Sequence, residues 1–204
     1  MLKTRAEYKQ QAKELVNGKL LNIWIVIGAF YLATSIIGGL GSQAGFLATV
    51  FSLVSSVIMF GYMYASERLF ITVVKGETID YKGIIVEPFK ANQVRNLLLG
   101  LVKGLYIAVF MILLIVPGII KAYEFAMAHY LVIREPELEW KAALDKSKKL
   151  MNGHKMELFM LDLSYILWYI LVIPLIWFMP QNMAARTLMY NEIYDAASTA
   201  PIAQ

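Results

Sequence analysis

Apolar runs long enough to cross a bilayer dominate this chain. They span Leu20–Ile37, Gly45–Tyr64, Leu97–Val116, Ile119–Ile133 and Leu158–Met179. About 18–20 residues wound as a helix, at about 1.5 Å each, cover a hydrocarbon core of ~30 Å. A helix in a water-soluble core needs one apolar stripe, whereas these runs are apolar all round. Of the 204 residues, 59% are hydrophobic and 17% charged. Soluble domains stand nearer roughly half and a quarter. The runs show no apolar–polar alternation of the kind a membrane barrel needs. Helices then remain as the way to satisfy backbone groups in lipid.

The basic residues cluster between the runs. All but three of the nineteen Lys and Arg fall within 1–19, 65–96 and 134–155; the others are Lys103, Lys121 and Arg186. The segment Gly38–Ala44 carries no charge. Cytoplasmic loops of membrane proteins are enriched in Lys and Arg, which places all three blocks inside. An even number of crossings must then separate them. Residues 20–64 read as a first hairpin turning at "GGLGSQAG", and 97–133 as a second turning at "VPG", Val116–Gly118. Residues 157–196 read either as a third hairpin turning at Val172–Pro174, with Pro180 in the returning helix, or as one long span ending near Met179.

The expected fold is all-α, a polytopic membrane bundle of about six transmembrane helices in three hairpins. It forms one integral membrane domain with both ends inside. Segments 1–19, 65–96 and 134–156 are cytoplasmic, and 197–204 is a tail. Thr4 followed by Glu7 fits a capping box opening a short amphipathic helix. In "LEWKAALDKSKKLM", Trp140, Leu144, Ser147 and Met151 share one face. Lys141, Lys148 and Lys149 lie elsewhere on that helix, and Lys155 follows it. These four lysines are candidate contacts for anionic lipid headgroups. The same segment also suits a plain solvated connector.

Charges inside the runs are the sharpest site signal, because ionisable groups at bilayer depth face the protein interior or a water-filled cavity. Lys103 lies 14 residues before Pro117 and His129 lies 12 after it; Asp162 and Arg186 each lie 12 from Pro174. All four then share a depth roughly 18–21 Å below the outer turns. Asp162 can pair with Arg186 across its own hairpin or with Lys103 from another. Alternatively, Lys103 and Arg186 reach the cytoplasmic surface along their stems. Lys121 and Glu124, spaced i,i+3, read as a local pair near the outer end of the fourth helix. Gly100-x-x-x-Gly104 has the spacing of a close helix contact.

Two segments carry a resemblance. "PGIIKAYEFAMAHYLV" (Pro117–Val132) and "AALDKSKKLMNGHKMELFMLDLSYILW" (Ala142–Trp168) resemble a family of bacterial integral membrane proteins catalogued as domain of unknown function nine-seven-five. The early Arg5-Ala6 and Leu15-Val16-Asn17-Gly18 fit the same pattern. The chain departs from it late, with Leu167 before Trp168, Ile173-Pro174 at the turn and Pro180-Gln181 beyond. The resemblance implies a multi-helix fold in a bacterial plasma membrane and no established activity.

No cysteine is present, so disulfide and thiolate chemistry are excluded. Gly39-Leu40-Gly41-Ser42-Gln43-Ala44 has dinucleotide-fingerprint spacing but follows an apolar helix rather than a strand, and reads as a turn. No nucleophile elbow, His-Glu-x-x-His or P-loop occurs. No cofactor and no nucleic acid are expected. Membrane lipids are the expected partners, with a membrane-protein partner or a second copy also open. Interfacial lysines and Trp24, Trp140, Trp168 and Trp177 favour a non-enzymatic binding module. A small transporter using Lys103, Asp162 and Arg186 is the alternative, and an intramembrane enzyme the third class.

Overall fold

The computed structural model describes residues 2–40, 45–90, 93–170 and 175–199, and among these every regular element is a helix. Helix α1, Arg5–Val16, opens with a complete capping box: Thr4 Oγ1 accepts from the Glu7 amide, and the Glu7 carboxylate accepts from the Thr4 amide at 2.6 Å. Tyr8, Ala12 and Val16, one turn apart, form its buried stripe. Gly18 turns the chain at φ 80°, in the left-handed region that other residues avoid, and α2, Leu20–Leu40, follows. Helix α3, Phe46–Lys75, packs back along α2.

These two helices are long and apolar enough to cross a membrane, whereas the apolar part of α5, Leu98–Leu113, is shorter. Six spans is therefore a finer statement than helix length supports. Helix α3 also continues past Tyr64, where the first hairpin was expected to end, because its apolar stripe persists through Leu69, Phe70 and Val73.

After α4, Tyr81–Lys90, residues 97–133 differ from the two-helix expectation. They fall into α5, Gln93–Leu113, α6, Ile115–Glu124, and α7, Ala128–Arg134. The turn lies at Leu114, extended at φ −157°, rather than at Val116–Gly118. Pro117 sits in the first turn of α6, where its missing N–H leaves no helical bond unmade. Gly118 lets α6 close onto α5, since a Cβ there would stand 2.4 Å from Met111 Cγ. A second break at Phe125–Met127 separates α6 from α7.

Helix α8, Trp140–Leu150, buries Ala143, Leu144 and Ser147, with Met151 buried just beyond. Gly153, at φ 90°, turns the chain into α9, Lys155–Ile170. Helix α10, Leu175–Thr199, packs back against α9: the Tyr165 and Phe178 rings meet edge to face, and Asp162 meets Asn182 and Arg186. That falling and rising register is a hairpin, not one long span. The turn expected at Val172–Pro174 lies outside the described residues, as do Gly41–Ala44 of the first expected turn, residues 200–204 and the Trp168 side chain.

The core sits at one end. Buried side chains occupy the first half of α2 (Ile23 to Phe30), the last third of α3 (Tyr64 to Val73), α7 from Ala128 to Ile133 and the middle of α10 (Asn182 to Ile193). The opposite ends expose apolar surface, at Leu32, Ile36 and Leu40 of α2, at Phe46, Leu47 and Leu53 of α3, and along Ile112–Val116. The packed end is the one carrying the basic blocks.

Candidate functional site

Helices α3, α5, α6, α7, α9 and α10 bring one set of charges together at the packed end. Arg186 Nη1 lies 3.4 Å from Asp162 Oδ2. Tyr123 of α6 donates its hydroxyl to the same oxygen at 2.9 Å, and Asn182 Nδ2 donates to Oδ1 at 3.1 Å. Arg186 also donates from Nε and Nη2 to the Tyr190 hydroxyl. Asn182, Arg186 and Tyr190 stand one turn apart, so a single face of α10 supplies all three. Lys103 of α5 lies within Coulombic reach of Glu67 and Arg186, and buried His129 of α7 lies within reach of Lys103.

Lys103, His129, Asp162 and Arg186 thus occupy one neighbourhood. Glu67, Tyr123, Asn182 and Tyr190 complete it, and sequence reasoning missed all four. Glu67 was hidden because residues 65–96 read as a connector. The signal available was the apolar stripe that flanks Glu67 on both sides. Two carboxyl groups face two basic side chains, so the set is formally balanced. Such a network ties helices together across a low-dielectric interior.

A second cluster forms where α6, α8 and α9 meet. The end of α6 leaves the Glu124 carbonyl without a helical partner, and the fully buried Ser147 Oγ donates to it at 2.8 Å. The Glu124 carboxylate accepts from Lys121 Nζ at 2.7 Å and from Lys155 Nζ at 2.8 Å. The local Lys121–Glu124 pair is present, but not near an outer end: with α6 only ten residues long, Glu124 lies against the basic α8–α9 segment.

Lys148, Lys149, Asn152 and Lys155 surround a cavity of about 430 Å³ together with Glu124 and Asp145. Lys141 lines a neighbouring cavity of about 340 Å³ that shares Asp145 and Lys148. On α8, Lys146 pairs with Glu135. Lys141, Lys148 and Lys149 are exposed and make no ion pair among the described residues. Gly153 matters here, because its left-handed turn folds Lys155 back beside Lys148 and Lys149. Among the described residues no three His, Cys, Asp or Glu side chains gather as a metal site.

Fold and sites together define a chain whose described residues form only helices, two of them of membrane length, with a balanced internal charge set. At the same end lies a lysine surface on which Lys141, Lys148 and Lys149 make no ion pair among the described residues. Residues 101–197 match the model of the family described as "Protein of unknown function (DUF975)", the same family that the two segments resemble. No curated protein and no solved structure matches it.

Proposed function

We propose that this chain is a multi-pass protein of the bacterial plasma membrane, with its N-terminus cytoplasmic and up to six helices in lipid. It serves as a non-enzymatic module that engages anionic headgroups through the lysine face of α8 and α9. The carrying observation is the convergence of Lys148, Lys149 and Lys155 on one cavity, with Lys148 and Lys149 lacking acidic partners among the described residues. Unpaired lysines near a membrane surface each favour anionic lipid by roughly 1 kcal/mol. In nanodiscs of mixed phosphatidylglycerol and phosphatidylcholine, the wild type is expected to enrich phosphatidylglycerol around itself. K148Q/K149Q is expected to reduce that enrichment, and equal enrichment in both proteins would rule this reading out.

The balanced set around Asp162 favours a second reading, a small transporter. Asp162→Asn then abolishes a flux across proteoliposomes while the protein stays folded. Loss of folding instead assigns Asp162 a structural role.

A further inference from the structure

The cavity beside the lysine face has a mixed lining of lysines and apolar side chains. Its polar lining is Lys121, Lys141, Lys148 and Asp145; Lys121 already pairs with Glu124, while Lys141 and Lys148 make no ion pair among the described residues. Its apolar lining is Val102 and Tyr106 of α5, Phe125 at the α6 break and Trp140 of α8. Tyr106 and Phe125 meet edge to face at 5.7 Å. The rings also fix the cations: Lys141 Nζ stands 5.2 Å from the Trp140 ring centre, and Lys121 Nζ stands 5.4 Å from that of Phe110.

The apolar wall does not stop at the cavity. It continues away from the packed end as exposed surface on α5, with Leu105 59% and Val109 44% accessible. A soluble anion would use the lysines and leave this wall bare. An amphiphile with a negative head and hydrocarbon tails uses both. The volume, about 340 Å³, is at the lower limit for small-molecule sites and suits a head group rather than a whole lipid.

We propose that the cleft between α5, α6 and α8 holds one anionic phospholipid of the surrounding bilayer. Its phosphate lies on Lys141 and Lys148, beside the Lys121–Glu124 pair, and its acyl chains lie along Leu105 and Val109. The proposal rests on the membrane reading above and deepens it, from a general surface preference to one stoichiometric site.

The test is native mass spectrometry of the delipidated full chain in neutral detergent, titrated with phosphatidylglycerol and, separately, phosphatidylcholine. One phosphatidylglycerol per chain is expected, at least tenfold tighter than phosphatidylcholine. Lys141→Gln is expected to weaken it about fivefold, the effect of one lysine at a membrane surface. Tyr106→Ala is expected to weaken it by removing part of the apolar wall. Lys13→Gln, on α1 and outside both cavities, is expected to leave it unchanged. Equal affinity for the two lipids, indifference to both cleft variants, or displacement by inorganic phosphate would overturn the proposal. Failure of this site with phosphatidylglycerol enrichment in nanodiscs intact removes the cleft alone. Loss of both removes the lysine-face reading as well.

Discussion

The indole Nε1 of Trp24 donates to the carbonyl of Ile176 at 2.9 Å. Ile176 lies four residues before Pro180, which sits inside α10 and has no N–H to offer. The proline frees the carbonyl, and α2 supplies the donor from 152 residues away. A break in one helix's ladder becomes a bond between two helices.

Trp24→Phe keeps the ring and loses the donor. It is expected to cost about 1 kcal/mol, read from thermal unfolding in detergent. In a Pro180→Ala background, residue 180 regains an amide for Ile176, and the same Trp24→Phe change is expected to cost less than half as much. An equal cost in both backgrounds would show that Trp24 acts only by packing.

At Gly100, a Cβ would lie 2.5 Å from Phe60 Cδ1 on α3, whereas nothing stands within 4 Å of one at Gly104. Gly100→Ala is expected to destabilise by about 1–3 kcal/mol through overpacking. Gly104→Ala is expected to be neutral or to stabilise by up to ~1 kcal/mol from helix propensity. Adding Phe60→Leu to Gly100→Ala is expected to recover most of the loss. Matched unfolding midpoints for the two alanine variants would contradict the contact.

Asp162 and Arg186 are 20% and 29% exposed, so removing one leaves the other in a poorly solvated place. Asp162→Asn is expected to destabilise by about 3 kcal/mol, the lower end for a broken buried pair. The Asp162→Asn/Arg186→Gln double variant is expected to lose less than the two single losses added. Strict additivity in denaturation would show that the two residues do not interact.

The Glu7 carboxyl is held below its ordinary value near 4.5, first by the Thr4 hydroxyl and then by the Thr4 amide. A depressed folded value means the contribution to α1 is fully present above the unfolded value and is lost as pH falls through the folded one. The protection factors of α1 amides, each referred to the intrinsic exchange rate at that pH, are therefore expected to fall below about pH 4.5, ahead of those in α3. Thr4→Ala is expected to reduce that pH dependence, because the hydroxyl is lost and only the residue-4 amide remains to hold the Glu7 carboxylate.

Much of the fold was readable because its signals are local. The capping box at Thr4 and Glu7 needs no distant partner. Asp162 and Arg186 were readable because a charge within an apolar run calls for a counter-charge at its level. What stayed hidden depends on tertiary contact. No proline or glycine marks the break at Phe125–Met127. It is held by Ser147 on the Glu124 carbonyl and by burial of Phe125, Ala126 and Met127. Glu67 was concealed by the same kind of effect, since the packing of α3 against α7 and α10 carries that helix beyond its membrane-length run. Of the two glycines in Gly100-x-x-x-Gly104, spacing alone gave no means of telling which one meets a neighbour.

The seating of α1 on α10 sets an order of events during synthesis. Tyr8 is buried with its hydroxyl on Glu192, 184 residues away. At roughly 5–20 residues per second, the ribosome makes α1 about ten to forty seconds before the surface that receives it. Over that interval the apolar stripe of Tyr8, Ala12 and Val16 has no permanent seat. A nascent chain arrested before Tyr190 therefore carries a finished helix that nothing can latch, and the last turns of α10 act as the clasp that closes the protein.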